Sequence, residues 1–402
     1  MKIGIIREGK VPPDHRMALV PWQCRQLAVL HPTLDFLVQQ SEIRCIPDER
    51  FAEADLKLTD AQSIREADIL FGIKEVPVHE LISDKTYFFF SHTIKQQIYN
   101  RDLLRAILAK KITLIDYECL TDELGSRVVA FGRFAGIVGA YNGILAYGKR
   151  FNLFDLKPAY QCSGLREMKE EFQKLRLPPV KIVVTGTGRV GKGAKELLDL
   201  MRIKQVFPQE FTRDRFNEPV YTILRSENYY TPKNEEDTDN LGFYSHPESY
   251  QSDFWKFAEA SDIFISGHYW NPKADVLFTA EQMRSPEFKI RVVADVTCDI
   301  LGSIPCTLRS SKITEPCYDY NPETGLEEPA FSHGNNITVM AVDNLPCELP
   351  ADASEAFGEQ LMQYVFPALL NGDRDSLLAR ATITKVGKLT ERYQYLQDFV
   401  DS

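Results

Sequence analysis

The segment Lys181-Ile-Val-Val-Thr-Gly-Thr-Gly-Arg-Val-Gly-Lys-Gly-Ala194 limits the fold of this chain more than any other. A run rich in β-branched residues enters Gly186-x-Gly188-x-x-Gly191, and Ala194, Leu197, Leu198 and Met201 then recur at helical spacing. The pattern predicts a buried strand that turns abruptly into a helix. In such a turn the first glycine permits the tight bend, the second lets a pyrophosphate approach the backbone, and the third lets helix and strand pack closely. The helix start turns its unpaired N–H groups toward the anion. Gly186, Gly188, Arg189, Val190 and Gly191 are therefore the candidate coenzyme-phosphate residues, within an α/β fold built on parallel strands.

With 402 residues the chain is long enough for two or three domains. A net charge of -10 argues against a nucleic-acid partner, which would need a basic face. No run approaches the roughly 20 apolar residues of a membrane span. Met1-Lys-Ile-Gly-Ile-Ile reads as a short strand rather than a signal peptide, so a soluble cytoplasmic enzyme is expected. The eight cysteines form no CxxC pair and have no histidine at metal-ligand spacing, so neither a metal site nor a redox dithiol is indicated.

From the N-terminus, a strand over Lys2 to Arg7 gives way to the loop Glu8 to Arg16, and Cys24, Leu27 and Leu30 predict a helix. Arg16 thus falls at a strand-to-helix mouth, where it could hold a substrate carboxylate. Spacing alone leaves a plain salt bridge equally open. Further strands are predicted over 35–39, 67–75, 86–92 and 112–115, with a helix over 96–108. Three consecutive strand ends carry Lys74 with Glu75, His92, and Asp116 with Glu118. Open α/β sheets place their ligands at such ends, and a His, a Lys and carboxylates there could supply an acid and a base near neutral pH. A buried carboxylate would raise the pKa of Lys74 or His92 and burial would lower it. The sequence leaves the sign open.

Small residues at Ala135, Gly136, Gly139, Ala140 and Gly143 predict a long helix that admits a close neighbour, read as crossing between domains. After the glycine loop, a strand over 205–207 is expected, with Glu210 placed where a ribose-binding acid is expected. Arg213 and Arg215 could instead meet a 2′-phosphate. The polar stretch 216–253 fits no repeating unit and reads as an insertion, taken in all as about 209–253. Strands resume over 260–267, 290–297 and 337–343, and the tail predicts helices over 352–370 and 373–399 that return to the first domain.

Seven motifs in order then carry a resemblance: Phe71-Gly-Ile-Lys74, Phe90-Ser-His-Thr-Ile-Lys95, Leu114-Ile-Asp-Tyr-Glu118, Val128-Val-Ala-Phe-Gly132, Gly186 to Ala194, Gly302-Ser-Ile304 and Val342-Asp-Asn-Leu-Pro346. Together they resemble the lysine-2-oxoglutarate reductase half of aminoadipic semialdehyde synthase. They are more loosely similar to fungal lysine-forming saccharopine dehydrogenase, and more distantly to alanine dehydrogenase and the transhydrogenase α subunit. The resemblance implies two Rossmann-like domains with the active site in the cleft between them. The expected division is 1–140 plus 345–402 for substrate and catalysis, and 141–344 for the coenzyme.

The resemblance also implies a reaction, the NAD(P)-linked condensation of lysine with 2-oxoglutarate to saccharopine through an imine. It makes Lys74 and His92 the acid–base pair, with Glu75 and Glu118 in support. It makes Arg16 and Gln97 substrate contacts and puts Asp343 in a segment lining the coenzyme site. Arg133 stands where fungal members carry phenylalanine and animal members glutamine, so substrate preference could differ. Family members that share the Pro-x-Glu context of Glu210 use NADPH, so that acid does not separate NAD from NADP. The resemblance leans to NADP, with Arg189, Arg213 or Arg215 as residues for the extra phosphate. The chain is expected to be a stand-alone reductase half, with room left for a homo-oligomer. An alanine dehydrogenase or other opine-type dehydrogenase, and a dinucleotide-binding module without turnover, are the competing readings.

Overall fold

The protein is described from a computed structural model that covers residues 1–234 and 242–402. The chain divides into two compact units, Met1–Phe131 with Pro350–Ser402, and Gly132–Leu349. These boundaries lie at 131/132 and 349/350, against the expected 140/141 and 344/345. The difference at the first boundary has a simple cause. The small-residue helix Gly132–Arg150 belongs wholly to the second unit, where Gly136 lies so close to the carbonyl of Val190 that a Cβ would collide with it. The close neighbour its small residues admit is thus another helix, Arg189–Leu200 after the glycine loop, and it lies within one unit instead of crossing between domains.

In the first unit the strands β1 (Lys2–Ile5), β2 (Asp35–Gln39), β3 (Lys57–Thr59), β4 (Ile69–Phe71), β5 (Thr86–Phe89) and β6 (Thr113–Asp116) all run parallel. Their order, β3-β2-β1-β4-β5-β6, reverses direction between β1 and β4. Ile3, Ile5, Leu37, Leu70, Phe71, Phe88 and Phe89 are almost completely buried, as strands covered on both faces require. The Phe71 and Phe88 rings stack at 4.5 Å and Phe366 lies against Phe71 at 5.5 Å, which ties the returning C-terminal segment to this sheet.

The second unit carries β7 (Lys181–Thr185), β8 (Lys204–Gln205), β9 (Val220–Leu224), β10 (Tyr230–Pro232), β11 (Tyr250–Ser252), β12 (Ile263–Ser266), β13 (Val292–Asp295), β14 (Cys317–Asn321), β15 (Leu326–Glu328) and β16 (Ile337–Met340). Its large sheet has the order β15-β14-β16-β13-β12-β7-β9-β8, while β10 and β11 form a separate antiparallel pair. The polar stretch expected as an insertion therefore contains a central strand. Val220–Leu224 pairs directly with β7, and β8 sits outside it at the edge. Residues 235–241 of that stretch lie outside the described residues.

The expected parallel sheets are each closed at one edge by antiparallel strands. β14 runs antiparallel to β16, and β15 to β14. In the first unit the expected final helix is broken into a short helix Leu377–Ala381, the hairpin β17 (Thr382–Lys385) and β18 (Lys388–Leu389), and a last helix Gln397–Asp401. β17 adds antiparallel to β6. The tight turn at Val386-Gly387 permits this, since Gly387 has φ +77° and glycine adopts that region without a Cβ penalty. Among the described residues no helix is long and apolar enough to cross a membrane.

Candidate active site

Glu8, Lys74 and Glu75 stand just past the ends of β1 and β4, where the strand order of the first sheet reverses. That crevice is where open α/β sheets take ligands. The Glu8 carboxylate accepts from the backbone N–H of Ile73 at 2.7 Å and of Lys74 at 2.8 Å, fixing the chain as it leaves β4. Burial pushes the Glu8 carboxyl up to about 8, helped by the nearby Asp14 charge and opposed by those two N–H groups and by Arg16. Sequence reasoning passed over both Glu8 and Asp14. Their one signal was an acid at each end of a loop that leaves a buried strand.

Asp14 is held by Arg16. The guanidinium donates from Nε at 3.0 Å and from Nη2 at 2.6 Å, and the Arg16 backbone N–H adds a third bond at 3.0 Å. Burial works against the Asp14 charge, but these bonds and the Arg16 charge prevail and hold its carboxyl well below the usual range. Arg16 is 4% exposed and lies 4.2 Å from the centre of the Phe131 ring. It therefore forms the salt bridge that spacing left open, buried rather than at the surface. Lys74 is lowered by burial first and by the Arg16 charge second, with Asp14 and Glu75 opposing. The sign left open by the sequence resolves in favour of burial, which brings the neutral amine closer to physiological pH.

His92 follows β5 in a left-handed backbone conformation, φ 54°, in the region that costs a non-glycine residue energy. Its Nδ1 lies 2.7 Å from Oε1 of Glu75, whose Oε2 accepts from Lys10 Nζ at 2.7 Å. Burial opposes the Glu75 charge, yet the hydrogen bonds from His92 and Lys10 overcome it and bring the carboxyl down to about 2. A neutral imidazole donating from Nδ1 to this carboxylate keeps Nε2 as its proton-accepting atom. Asp116 at the end of β6 supports the same loop by accepting from the Ser91 N–H at 2.9 Å and from the Ser91 hydroxyl.

Glu118 accepts from Arg127 at 3.3 Å and pairs with Lys95 at 3.4 Å, through Oε1 in both cases. Its buried Oε2 has no hydrogen-bond partner among the described residues. Gln97 is exposed and accepts from the Tyr99 hydroxyl at 2.7 Å. The first unit therefore gathers Lys74, Glu75, His92, Arg16, Glu8 and Asp14 into one charged group. Gln97 stands outside that hydrogen-bonded group. Arg133 falls in the second unit rather than in the expected substrate domain, with its guanidinium bonded to Glu196 at 2.7 and 2.6 Å.

In the second unit Gly186 has φ +91° and opens the turn after β7. A Cβ at Gly191 would collide with the Gly186 carbonyl oxygen, whereas one at Gly188 would meet nothing within 4 Å. Gly188 is the N-cap of the helix Arg189–Leu200. The open side of Gly188 next to a helix start fits a dinucleotide pyrophosphate. Arg189 and Val190 form the first turn of that helix, and Asp343 is exposed just beyond β16.

Glu210 does not occupy the expected place. It lies in the helix Pro208–Arg213 and accepts from the Phe207 N–H at 3.0 Å as a capping residue. The residue count to the ribose acid assumed that the next strand in sequence pairs with β7. β9 takes that place instead. His268, which stood at a strand end in the sequence, is buried between Thr185 Oγ1 at 2.7 Å and Ser303 Oγ at 2.9 Å. Burial lowers it to about 4, so it serves as a neutral structural link.

This fold and glycine loop define a class, and comparison with known proteins agrees. Residues 4–138 match the family model "Alanine dehydrogenase/PNT, N-terminal domain". An L-alanine dehydrogenase structure aligns over 100% of this chain and 99% of its own, with TM-score 0.67 at 18% identity. A transhydrogenase from Sinorhizobium meliloti aligns over 97% of this chain and 100% of its own, with TM-score 0.62 at 14% identity. These two likenesses concern the fold.

In sequence the chain is similar to proteins named aminoadipic semialdehyde synthase and saccharopine dehydrogenase (L-lysine-forming). The mitochondrial alpha-aminoadipic semialdehyde synthase of Mus musculus is 31% identical over 91% of this chain, and the match covers 44% of the mouse protein. The saccharopine dehydrogenase [NAD(+), L-lysine-forming] of Emericella nidulans is 27% identical over 92% of this chain and 91% of its own length. The chain thus spans less than half of the mammalian relative and nearly all of the fungal one.

Proposed function

We propose that the chain interconverts saccharopine with lysine and 2-oxoglutarate in an NAD(P)-linked reaction. The observation that carries this reading is the charged group at the ends of β1, β4 and β5, in which Glu75 holds His92 and burial lowers Lys74. In the condensing direction the lysine ε-amine adds to the keto carbon, the carbinolamine loses water, and the resulting imine carbon receives a hydride. The dinucleotide, held at Gly186 to Gly191, supplies that hydride when bound and takes it back in reverse. Lys74 serves as the base that takes a proton from the attacking amine. His92 enters this step protonated, held at Nδ1 by Glu75, gives its Nε2 proton to the departing hydroxyl, which leaves as water, and is left as the neutral imidazole whose Nε2 accepts a proton in the reverse direction. Arg16 holds a substrate carboxylate with a guanidinium whose Nε and Nη2 are already engaged by Asp14.

The match of residues 4–138 to the alanine dehydrogenase/PNT domain favours one competing reading, reductive amination of pyruvate with ammonia. Two cation-bearing strand ends and a loop glycine suit either reaction. A matrix of amine donors against oxo acids separates them. The proposal requires oxidation of reduced dinucleotide only when lysine and 2-oxoglutarate are both present. Turnover with pyruvate and ammonia in its place would overturn it, and dinucleotide binding without turnover on any pair would leave a non-catalytic module.

A further inference from the structure

The sheet of the second unit identifies a residue that the sequence did not single out. β7 and β9 run parallel in the register Thr185↔Leu224, and the Gly186 N–H donates to the Leu224 carbonyl at 2.9 Å. Arg225 therefore leaves the sheet alongside the first glycine of the loop. In dinucleotide-binding sheets the end of the strand beside the glycine-loop strand meets the adenosine ribose. An acid there takes the free 2′-hydroxyl, and an arginine accommodates a 2′-phosphate.

A cavity of about 480 Å³ opens at this spot, within the size range of small-molecule sites. Thr187, Gly191, Lys192, Phe207, Pro208 and Arg225 are among the residues lining it. The charged residues in its lining are Lys192, Lys195 and Arg225, with no carboxylate among the described residues that line it. Lys195 is engaged by Asp199 at 2.8 Å and by the Tyr221 hydroxyl at 3.2 Å. Arg225 meets Glu227 at 3.7 Å, but both side chains are more than 60% exposed, so water screens the pair. Phe207, 73% exposed, and Pro208 add an apolar wall suited to a flat base.

We propose that Arg225, with Lys192 beside it in the same cavity, anchors a 2′-phosphate on the adenosine ribose and makes this chain select NADP(H) over NAD(H). The inference rests on the reading of Gly186 to Gly191 as a dinucleotide loop. It removes Glu210 and Arg213 from the selection. Glu210 caps its own helix, and Arg213 is bonded to its neighbour Asp214 at 2.7 Å. It also separates this chain from the fungal relatives whose names specify NAD(+).

The test is calorimetric titration of the full chain with NADPH and NADH, and with adenosine bearing or lacking a 2′-phosphate, so that binding is read without turnover. Wild type should bind NADPH more tightly by about tenfold or more, the scale of a charge-assisted phosphate contact. Arg225→Ala should bring NADPH down to the level of NADH while leaving NADH unchanged, and Arg225→Lys should fall between. Arg213→Ala should change neither. Equal or tighter binding of NADH by wild type, or equal loss of both dinucleotides in Arg225→Ala, would overturn the assignment. If neither dinucleotide binds wild type, the glycine-loop reading itself fails, and the assignment with it.

Discussion

Replacing Glu75 with Gln removes the charge that joins His92 to Lys10, and its cost can be worked from the structure. The Glu75 carboxyl lies at about 2, against an ordinary 4.5, with its side chain 10% exposed. Each unit of displacement is about 1.4 kcal/mol, so the ionised form contributes up to about 3 kcal/mol to folding at neutral pH. A carboxyl depressed in the folded state contributes this in full above its unfolded value. The contribution is then lost as pH falls toward the folded value. The gap between wild type and Glu75→Gln should therefore be about 3 kcal/mol at pH ~7, fall to roughly 2 near pH ~3.5, and vanish only below pH ~2. Denaturant unfolding of both proteins across this range, followed by a signal assigned to the first unit, measures the gap. A gap that does not narrow with acid would show that Glu75 is not held as an anion by His92 and Lys10.

Four further outcomes follow from the same geometry. Lys74→Met and His92→Gln should each lower kcat by about 10² to 10⁴ and leave dinucleotide affinity unchanged, because the glycine loop belongs to the other unit. Steady-state kinetics beside a binding titration would decide this. Gly188→Ala should fold normally, since its Cβ would meet nothing within 4 Å, yet lose dinucleotide binding because the methyl occupies the pyrophosphate approach. Gly191→Ala should instead destabilise the second unit, which thermal unfolding without ligand would reveal. Arg16→Ala should lower stability by about 3 to 5 kcal/mol, because it leaves Asp14 buried without its cation. Arg16→Ala with Asp14→Ala should recover part of that loss while substrate affinity stays low.

The sequence announces those parts of the molecule where a local pattern and the final placement have the same cause. Lys181 to Gly191 had to be a strand, a turn and a helix start, because β-branched residues, glycines and a helical stripe follow one another without interruption. Lys74 and His92 were legible for a similar reason. Each follows a buried strand, Ile69-Leu-Phe71 before Lys74 and the aromatic run Tyr87 to Phe90 before His92, and a residue at the end of a parallel strand has its position set by the sheet. Glu8 and Asp14 were not legible, since their role depends on β1 lying next to β4, which is a property of strand order and not of spacing.

Glu210 shows the same limit more sharply. Counting residues from Gly186 presumes that sequence neighbours are sheet neighbours, and the chain instead places β8 at the edge before returning with β9. Val220-Tyr-Thr-Ile-Leu224 has the β-branched and aromatic content of a buried strand, so the signal was present inside a stretch dominated by its polar surroundings. The tail was misread for a different reason. Its apolar spacing over 373–399 suits a helix, but Gly387 and the β-branched Thr382, Ile383 and Thr384 favour a hairpin once β6 offers an open edge.

The most direct test of the proposed activity is mass spectrometry of the product formed from lysine and 2-oxoglutarate with dinucleotide deuterated at the transferring C4 position. The account requires saccharopine carrying a single deuterium on the carbon that was the keto carbon of 2-oxoglutarate. Dinucleotide oxidation with no condensed product would contradict it. So would deuterated alanine from pyruvate and ammonia under conditions where lysine and 2-oxoglutarate remain unreacted.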